Sequence, residues 1–491
     1  MRYAWFCRWV GELAQRYPAR EITPLTPWFV NISIHDVEIT GCSTLVDVSA
    51  LPEKPVKNFF FGNVKAHCDR IGKICDATKF SMKDVRIESC DTVMRIDNCD
   101  YASFFGFSNV TTGSSVKIEK TGGECRYLNV QTYPLVPVNY QSIRSGEVWL
   151  DTEGKPIQAH GFQVTFREGK YYWYGEDKTH TLFGTNRMFG GVRCYSSTDF
   201  YNWKDEGRII EPATDPHSPL HHCQKLERPH ILYCAKTGRY VCWLKSQSND
   251  GHFVILEAEH FMGPYHFVRN LKPNGFAVGD FDMYADPDTG KGYVWFERPH
   301  WEQICAELSD DYTNVNGRYS EHFVGKVPPF TREAAAHFVM DGKHYIYTSG
   351  TTSYTPNPSE VAVFDDYHGE YTVLGNPHIG DEYAHSFCSQ ITSVIKIPGK
   401  DLYVAMADRW LPHTNKTDIP KKDWQSFLTR YKDHRPYPKD FATPKVADRF
   451  YTLVNPNQDV YKATYVFLPI VVKDGIPMIE WKDEWKLENY E

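Results

Sequence analysis

Five short stretches share one pattern: GKYYWY at 169–174, GRYVCW at 238–243, GKGYVWF at 290–296, GKHYIY at 342–347 and GKDLYVAM at 399–406. Each is a glycine-centred turn that hands over to an aromatic strand, and the glycines are 69, 52, 52 and 57 residues apart. Self-similarity near a period of 50, built from short alternating strands, marks a β-propeller. Five copies predict five blades.

The same repeat picks out five positions nine to eleven residues before each glycine: His160, Glu227, Asp280, Glu333 and Gln390. They stand at or just ahead of the first strand of each blade. That strand lines the central channel, so the five form a ring at its mouth. Three carboxylates converging on one cavity repel each other and raise each other's pKa, which is costly unless the cluster performs chemistry.

Upstream, residues 30–123 carry another repeat, apolar-x-apolar-x-(Asp/Asn)-Val. It runs Ile32-x-Ile34-x-Asp36-Val37, Phe59-x-Phe61-x-Asn63-Val64, Phe80-x-Met82-x-Asp84-Val85 and Phe105-x-Phe107-x-Asn109-Val110, at spacings of 27, 21 and 25 residues. Such spacings match one coil of a parallel β-helix. The expected architecture is all-β: a cap segment at 1–20, a short right-handed parallel β-helix at 21–123, a linker at 124–146 and a five-bladed propeller at 147–486. The Lys-, Asp- and Pro-rich stretch 411–450 interrupts the blade rhythm and is expected to form a surface excursion beside the fifth blade.

Composition narrows the function. The 491 residues carry a formal net charge of −8, which gives no electrostatic footprint for nucleic acid or anionic membrane. No run of eighteen apolar residues is present, so no membrane span is expected. The opening residues, MRYAWFCRWVGELAQRYPAR, place Arg8 and Glu12 inside what a secretory signal would need as its apolar region. That reading leaves a cytoplasmic protein, or a chain given without its true N-terminus. Thirteen cysteines at irregular spacing follow no zinc or disulfide framework and are expected to be mostly buried thiols. Aromatics make up 15% of the chain. Most are accounted for as strand and core residues, and a minority as platforms for sugar rings.

From residue 146 the motifs run in order: GEVWLDTEGKPIQAHGFQVTFREGKYYWYGEDK, CYSSTDFYNWKDEG, LERPHILYCAKTGRYVCW, AELSDDY, TREAAAHF, CSQITSV, DRW and YVFLPIVVKDGIPMIEWKDEW. This set resembles glycoside hydrolase family 43, and within it the branch of exo-β-1,3-galactanases, over about residues 144–486. The resemblance implies a five-bladed propeller that hydrolyses glycosidic bonds with inversion. It implies Glu333 as general acid, Asp280 as the aspartate that tunes it, and Glu227 with Gln390 completing the site. Where the wider family has an Asp base this chain has His160, a loss shared by the galactanase-like branch. Gln390 is expected to orient the attacking water. His160, Glu176, Trp173, Tyr174 and Trp410 are candidate sugar contacts.

The same resemblance implies secretion or a periplasmic location and an oligo- or polysaccharide partner. It brings calcium into the channel of some members, but DPDTG at 286–290 reads better as a β-turn than as an oxygen cage, so no metal or other cofactor is expected. The favoured activity is removal of terminal galactose from β-1,3-galactan or arabinogalactan side chains. An α-L-arabinofuranosidase or β-xylosidase, and an inactive carbohydrate-binding propeller, are the alternatives. The β-helix segment, notably LPEKPVKNFFFGNVKAH at 51–67, is similar to the last rungs of the polygalacturonase-like family 28. That family's paired aspartates, His-Gly and Arg-x-Lys motifs are not visible in it, so it is read as a non-catalytic remnant or docking module. Oligomeric state is left open.

Overall fold

In a computed structural model, the structure describes residues 18–126, 128–131, 138–179, 181, 188–247, 251–326, 330–411 and 460–491. The expected cap at 1–20, but for its last three residues, and the expected excursion at 411–450, but for Leu411, lie outside the described residues. The chain divides into two compact units, Met1–Val136 and Pro137–Glu491. Both ends of the stretch read as a linker are structured. Asn129–Gln131 pairs in parallel with Ser103–Phe105, and Ile143–Arg144 pairs with Glu484–Trp485.

The first unit is a β-solenoid. Val30–Ser49 lies parallel on Val56–Glu88 with Ile32 opposite Phe59, Ile34 opposite Phe61 and Val37 opposite Val64, the 27-residue step of the repeat. Phe59 stacks on Phe80 with centroids 4.8 Å apart, which fits the 21-residue step. The last step differs from expectation. Met82 pairs with Phe104 and Val85 with Phe107, while Phe105 sits opposite Lys83 rather than Phe80. Three aromatics in the four residues Phe104–Phe107 let the alternation be read in two registers, and only packing selects one: Phe104 and Phe107 join the solenoid core, whereas Phe105 lies under the Lys83 ammonium.

The Asp/Asn in the repeat marks a corner of the coil. Asp36, Asn63 and Asp84 have φ of 57, 46 and 50°, the left-handed region that Asn and Asp tolerate best among residues with a Cβ. Neighbouring corners then bond along the stack, Asn63 Nδ2 donating to Asp36 Oδ1 at 2.6 Å. Asn109 departs from this: its buried amide donates to the carbonyls of Ser89 and Asp91.

The second unit is a five-bladed propeller. Blade I comprises His160–Arg167, Lys170–Glu176, Val192–Ser197 and Lys204–Ile210; blade II, Leu226–Cys234, Arg239–Ser246, His252–Ala258 and His266–Leu271. Blade III comprises Phe281–Ala285, Gly292–Glu297, Gln303–Leu308 and Val315–His322; blade IV, Glu333–Met340, Lys343–Ser349, Glu360–Phe364 and Thr372–Gly375. Blade V comprises Gln390–Lys396, Tyr403–Arg409, Thr464–Lys473 and Ile476–Glu480, with His378–Ile379 on its outer edge. The five glycines of the repeat, Gly169, Gly238, Gly290, Gly342 and Gly399, all have φ between 69 and 79° and open space where a Cβ would stand. They are there for backbone conformation rather than for room.

Five apolar clusters fill the five seams between adjacent blades. The second strand of each blade is covered on both faces, and that decides the fate of the aromatics in GKYYWY. Trp173 is fully buried, donating Nε1–H to Ala159 O and packed against Trp149, Trp203 and Phe467. Tyr174 is buried on the seam to blade II, where its hydroxyl accepts the Ile231 N–H. Both are buried core residues rather than exposed platforms, which corrects their expectation as sugar contacts. Every described cysteine is a thiol rather than a disulfide, and most are buried. Among the described residues no helix is long and apolar enough to cross a membrane.

Candidate active site

At one end of the propeller channel lies a cavity of about 110 Å³, several times the roughly 10–15 Å³ that one water needs on the same measure. Its lining brings together Glu176, Glu227, Asp280, Glu333, Gln390 and Trp410, six of the nine residues expected in the site. Four of the five inner-strand ring positions are among them. A backbone device aims them. In blades II and IV the residue after the ring position, Arg228 or Ala334, has φ near 50°, and the strand bulges there before regular pairing resumes. A left-handed residue with a Cβ costs about 1–2 kcal/mol, and such bulges re-aim side chains at functional rims.

Blade I has the same bulge, with Gly161 at φ 53°. Here the outcome is inverted. A Cβ on Gly161 would stand 2.4 Å from Glu176 Oε1, so glycine lets the Glu176 carboxylate occupy the place a ring residue would take. His160 turns behind it, fully buried, with Nδ1 2.9 Å from Asp408 Oδ1 and its ring stacked on Tyr465. His160 is therefore not in the cavity, which corrects its assignment as a sugar contact.

Each ring position faces a partner at the end of the second strand: Glu176 opposite His160, Lys245 opposite Glu227, Glu297 beside Asp280, Ser349 opposite Glu333 and Asp408 opposite Gln390. These partners supply the electrostatics that the inner-strand ring alone lacks. Lys245 Nζ stands 2.7 Å from both Glu227 Oε2 and Asp280 Oδ1. Arg228 Nε lies 2.8 Å from Asp280 Oδ2, and its backbone N–H donates to Glu176 Oε1. Lys178 pairs with the other Glu176 oxygen, and Gln247 and Lys225 reach Glu227. A sequence signal for this second ring exists: Glu176, Lys245, Glu297 and Ser349 each lie seven residues after their glycine, and Asp408 nine.

The result is a split in proton affinity. Burial pushes Glu333 well above the usual carboxylate range, and the charges of Glu297 and Asp280 push it further against Lys245 and Arg228. Burial also raises Glu297, to about 7, with Asp280 adding to it. Asp280 goes the other way: burial would raise it, but Arg228 and Lys245 outweigh that and hold it below the ordinary range. Glu227 is likewise lowered, as Lys245, Lys225 and Lys178 together overcome its burial. Glu176 is raised by burial and by Glu227, with Lys178 opposing. Arg332, next in sequence to Glu333, points away to Thr348 and Glu360.

Gln390 is clamped in one orientation. Its Oε1 accepts from Arg228 at 2.9 Å and from the Trp410 indole at 3.1 Å, which a flipped amide could not do. Its Nε2 donates to Glu333 Oε1 at 3.3 Å and to Ser349 at 3.0 Å. Both carbonyl lone pairs and both amide hydrogens of Gln390 are thus engaged by protein partners, where the sequence reading expected it to orient the attacking water. Trp410 stands edge-on to Tyr354 at the wall. Lys225, Arg228, Lys245, Gln247, Ser353 and Tyr354 are lining residues that the ring argument missed. DPDTG is a turn, its Asp286 carboxylate accepting the Asp288 and Thr289 N–H groups.

Residues 162–394 match the family model of Glycosyl hydrolases family 43. A search of curated proteins returned no match. Among solved structures, a GH43 β-1,3-galactosidase is 27% identical with a TM-score of 0.58, the alignment covering 72% of this chain and 65% of that one, under two thirds of its length. A second GH43 β-1,3-galactosidase, solved with galactodeoxynojirimycin, is 27% identical with a TM-score of 0.57, covering 70% of this chain and all of the other. An exo-β-1,3-galactanase from Clostridium thermocellum is 25% identical with a TM-score of 0.54, covering 70% of this chain and 66% of its own.

Proposed function

From the premise that its propeller is a glycoside hydrolase family 43 domain, we propose that this glycoside hydrolase removes terminal galactose from β-1,3-linked galactan or arabinogalactan with inversion. The observation that carries the reading is the divided carboxylate set lining the cavity: burial and neighbouring carboxylates push Glu333 well above the usual carboxylate range, while the cations around Asp280 and Glu227 hold those two below it. Inverting hydrolysis needs that division, one carboxyl to protonate the leaving oxygen and another on the opposite face to take a proton from water.

Glu333 is the acid, with Gln390 donating to its Oε1 so that Oε2 carries the proton. Asp280 sets the acid's proton affinity, since its charge is among those that act on Glu333 directly. Glu227 acts instead on Glu176, toward blade I, and is assigned to the water. Trp410 offers the sugar an aromatic wall whose rotation is blocked by its bond to Gln390. The choice of galactose follows the similarity to β-1,3-galactosidases and an exo-β-1,3-galactanase.

The test is release of reducing sugar from β-1,3-galactan, arabinogalactan, arabinan and xylan by wild type and Glu333→Gln, with the first-formed anomer read by proton NMR. Galactose released as the α-anomer, and lost in the variant, supports the reading. Release of arabinose or xylose alone would move the substrate assignment, and binding without turnover would make the cavity a recognition site.

A further inference from the structure

Between the outer strand of blade I and the inner strand of blade II the chain reads EPATDPHSPLHHCQK at 211–225. Nothing in the glycosidase chemistry uses the run HHC within it. His221, His222 and Cys223 each present one nitrogen or sulfur donor, and the three donor atoms lie within 4.8 Å of one another. The two imidazole centroids are 4.1 Å apart.

The backbone explains why three successive side chains gather. Gln224 N donates to His221 O at 2.8 Å, closing a turn over the three residues, and His221 N donates to Ser218 O at 3.1 Å. The turn is tied down from outside. His222 O accepts the N–H groups of Met188 and Phe189 at 3.0 and 2.9 Å, and His222 N donates to Ala213 O at 3.2 Å. The donors therefore sit on a held backbone at the protein surface, half-buried for both histidines and exposed for Cys223. Most other described cysteines are packed into core, and Cys90 is the other exposed one.

We propose that His221, His222 and Cys223 form a binding site for Zn²⁺, with water in the fourth position. Two imidazoles and a thiolate are the donor set that a borderline-soft d¹⁰ cation prefers, and carboxylate-seeking Ca²⁺ or Mg²⁺ would not choose it. In a tetrahedral site with Zn–S near 2.3 Å and Zn–N near 2.0–2.1 Å, donor atoms stand roughly 3.3–3.6 Å apart. Side-chain torsions have to close the present spread by about 1.2–1.5 Å at most, with the turn unmoved. Binding displaces the thiol proton to solvent. Lys225 and Glu227 follow Cys223 by two and four residues, so the cation would pin the run that leads into the cavity wall.

The experiment uses the full chain, reduced and stripped by a chelator. Zn²⁺ is titrated against a competing chromophoric chelator, and Co²⁺ serves as the spectroscopic probe. One cation per chain is expected, with a thiolate-to-cobalt band in the near ultraviolet. Cys223→Ser should abolish that band and weaken Zn²⁺ at least tenfold, and His222→Ala should weaken it at least tenfold. Cys90→Ser should change neither. Cys223→His, which replaces one donor by another, should regain Zn²⁺ without the thiolate band, separating lost ligation from lost folding. No stoichiometric uptake by wild type, uptake undiminished in both Cys223→Ser and His222→Ala, or no recovery in a folded Cys223→His would each overturn the site.

Discussion

The solenoid and the propeller are both built by repeating a β-unit, yet they put equivalent residues to opposite uses. In the solenoid the repeat is a translation, and equivalent residues stand side by side along a line: Phe59 on Phe80, Asn63 on Asp36, Asn58 on Asn31. Like stacked on like is stable there, because rings offer faces and side-chain amides donate to the next acceptor. In the propeller the repeat is a rotation. Equivalent residues converge on one axis, where five identical charges would be untenable. The positions have accordingly diverged into His160, Glu227, Asp280, Glu333 and Gln390, interleaved with Lys245 and Arg228. A translational repeat rewards sameness, and a rotational one rewards difference at its centre.

The sharpest way to break this comparison is at the axis. Glu333→Gln should lower kcat by on the order of 10²–10⁴, the range for a general acid, with an unchanged circular dichroism spectrum. Lys245→Met removes the cation shared by Glu227 and Asp280. Stranding buried charges costs about 3–5 kcal/mol, to be read from urea unfolding of the propeller. The solenoid should answer to volume rather than to charge. Phe80→Ala empties a stacked core position and should cost roughly 3–5 kcal/mol, read as a lower denaturant midpoint.

A smaller test concerns the corners. Asn63→Val forces a β-branched residue to φ 46° and should cost about 1–2 kcal/mol, whereas Asn63→Gly should cost less. The smallest effect is a shift in pH. Activity that needs protonated Glu333 is present below its raised pKa and is lost as pH rises through it. Glu297→Gln removes one of the charges that raise it. The alkaline limb of kcat/KM should therefore move to lower pH, while the acid limb, set by the lowered Asp280 and Glu227, stays in place.

Much of the cavity is legible in the chain itself, because the five glycine turns index the blades and the inner-strand positions can be counted from them. Glu227, Asp280, Glu333, Gln390, Glu176 and Trp410 all line it. His160 is indexed correctly by that count and still misplaced. Its glycine neighbour and the bulge exchange it with Glu176, a swap of strand partners that a residue count does not register. Trp173 and Tyr174 fail for another reason. Aromatics in a sandwiched strand and aromatics on a rim look alike in sequence, and only the neighbouring blade tells them apart. The last solenoid register fails because Phe104, Phe105 and Phe107 satisfy two alternations equally well.

By itself, the sequence determined the two kinds of repeat, the number of blades and which positions meet at the axis, since periodicity is a property of the chain alone. Only the tertiary structure decided which of those positions have their pKa lowered, which has it raised and which is turned away. Those outcomes depend on burial and on charges brought from other blades: Lys245 and Arg228 from blade II onto Asp280, Glu297 from blade III onto Glu333, Asp408 from blade V onto His160. A pKa belongs to a neighbourhood, and that neighbourhood exists only when the ring is closed.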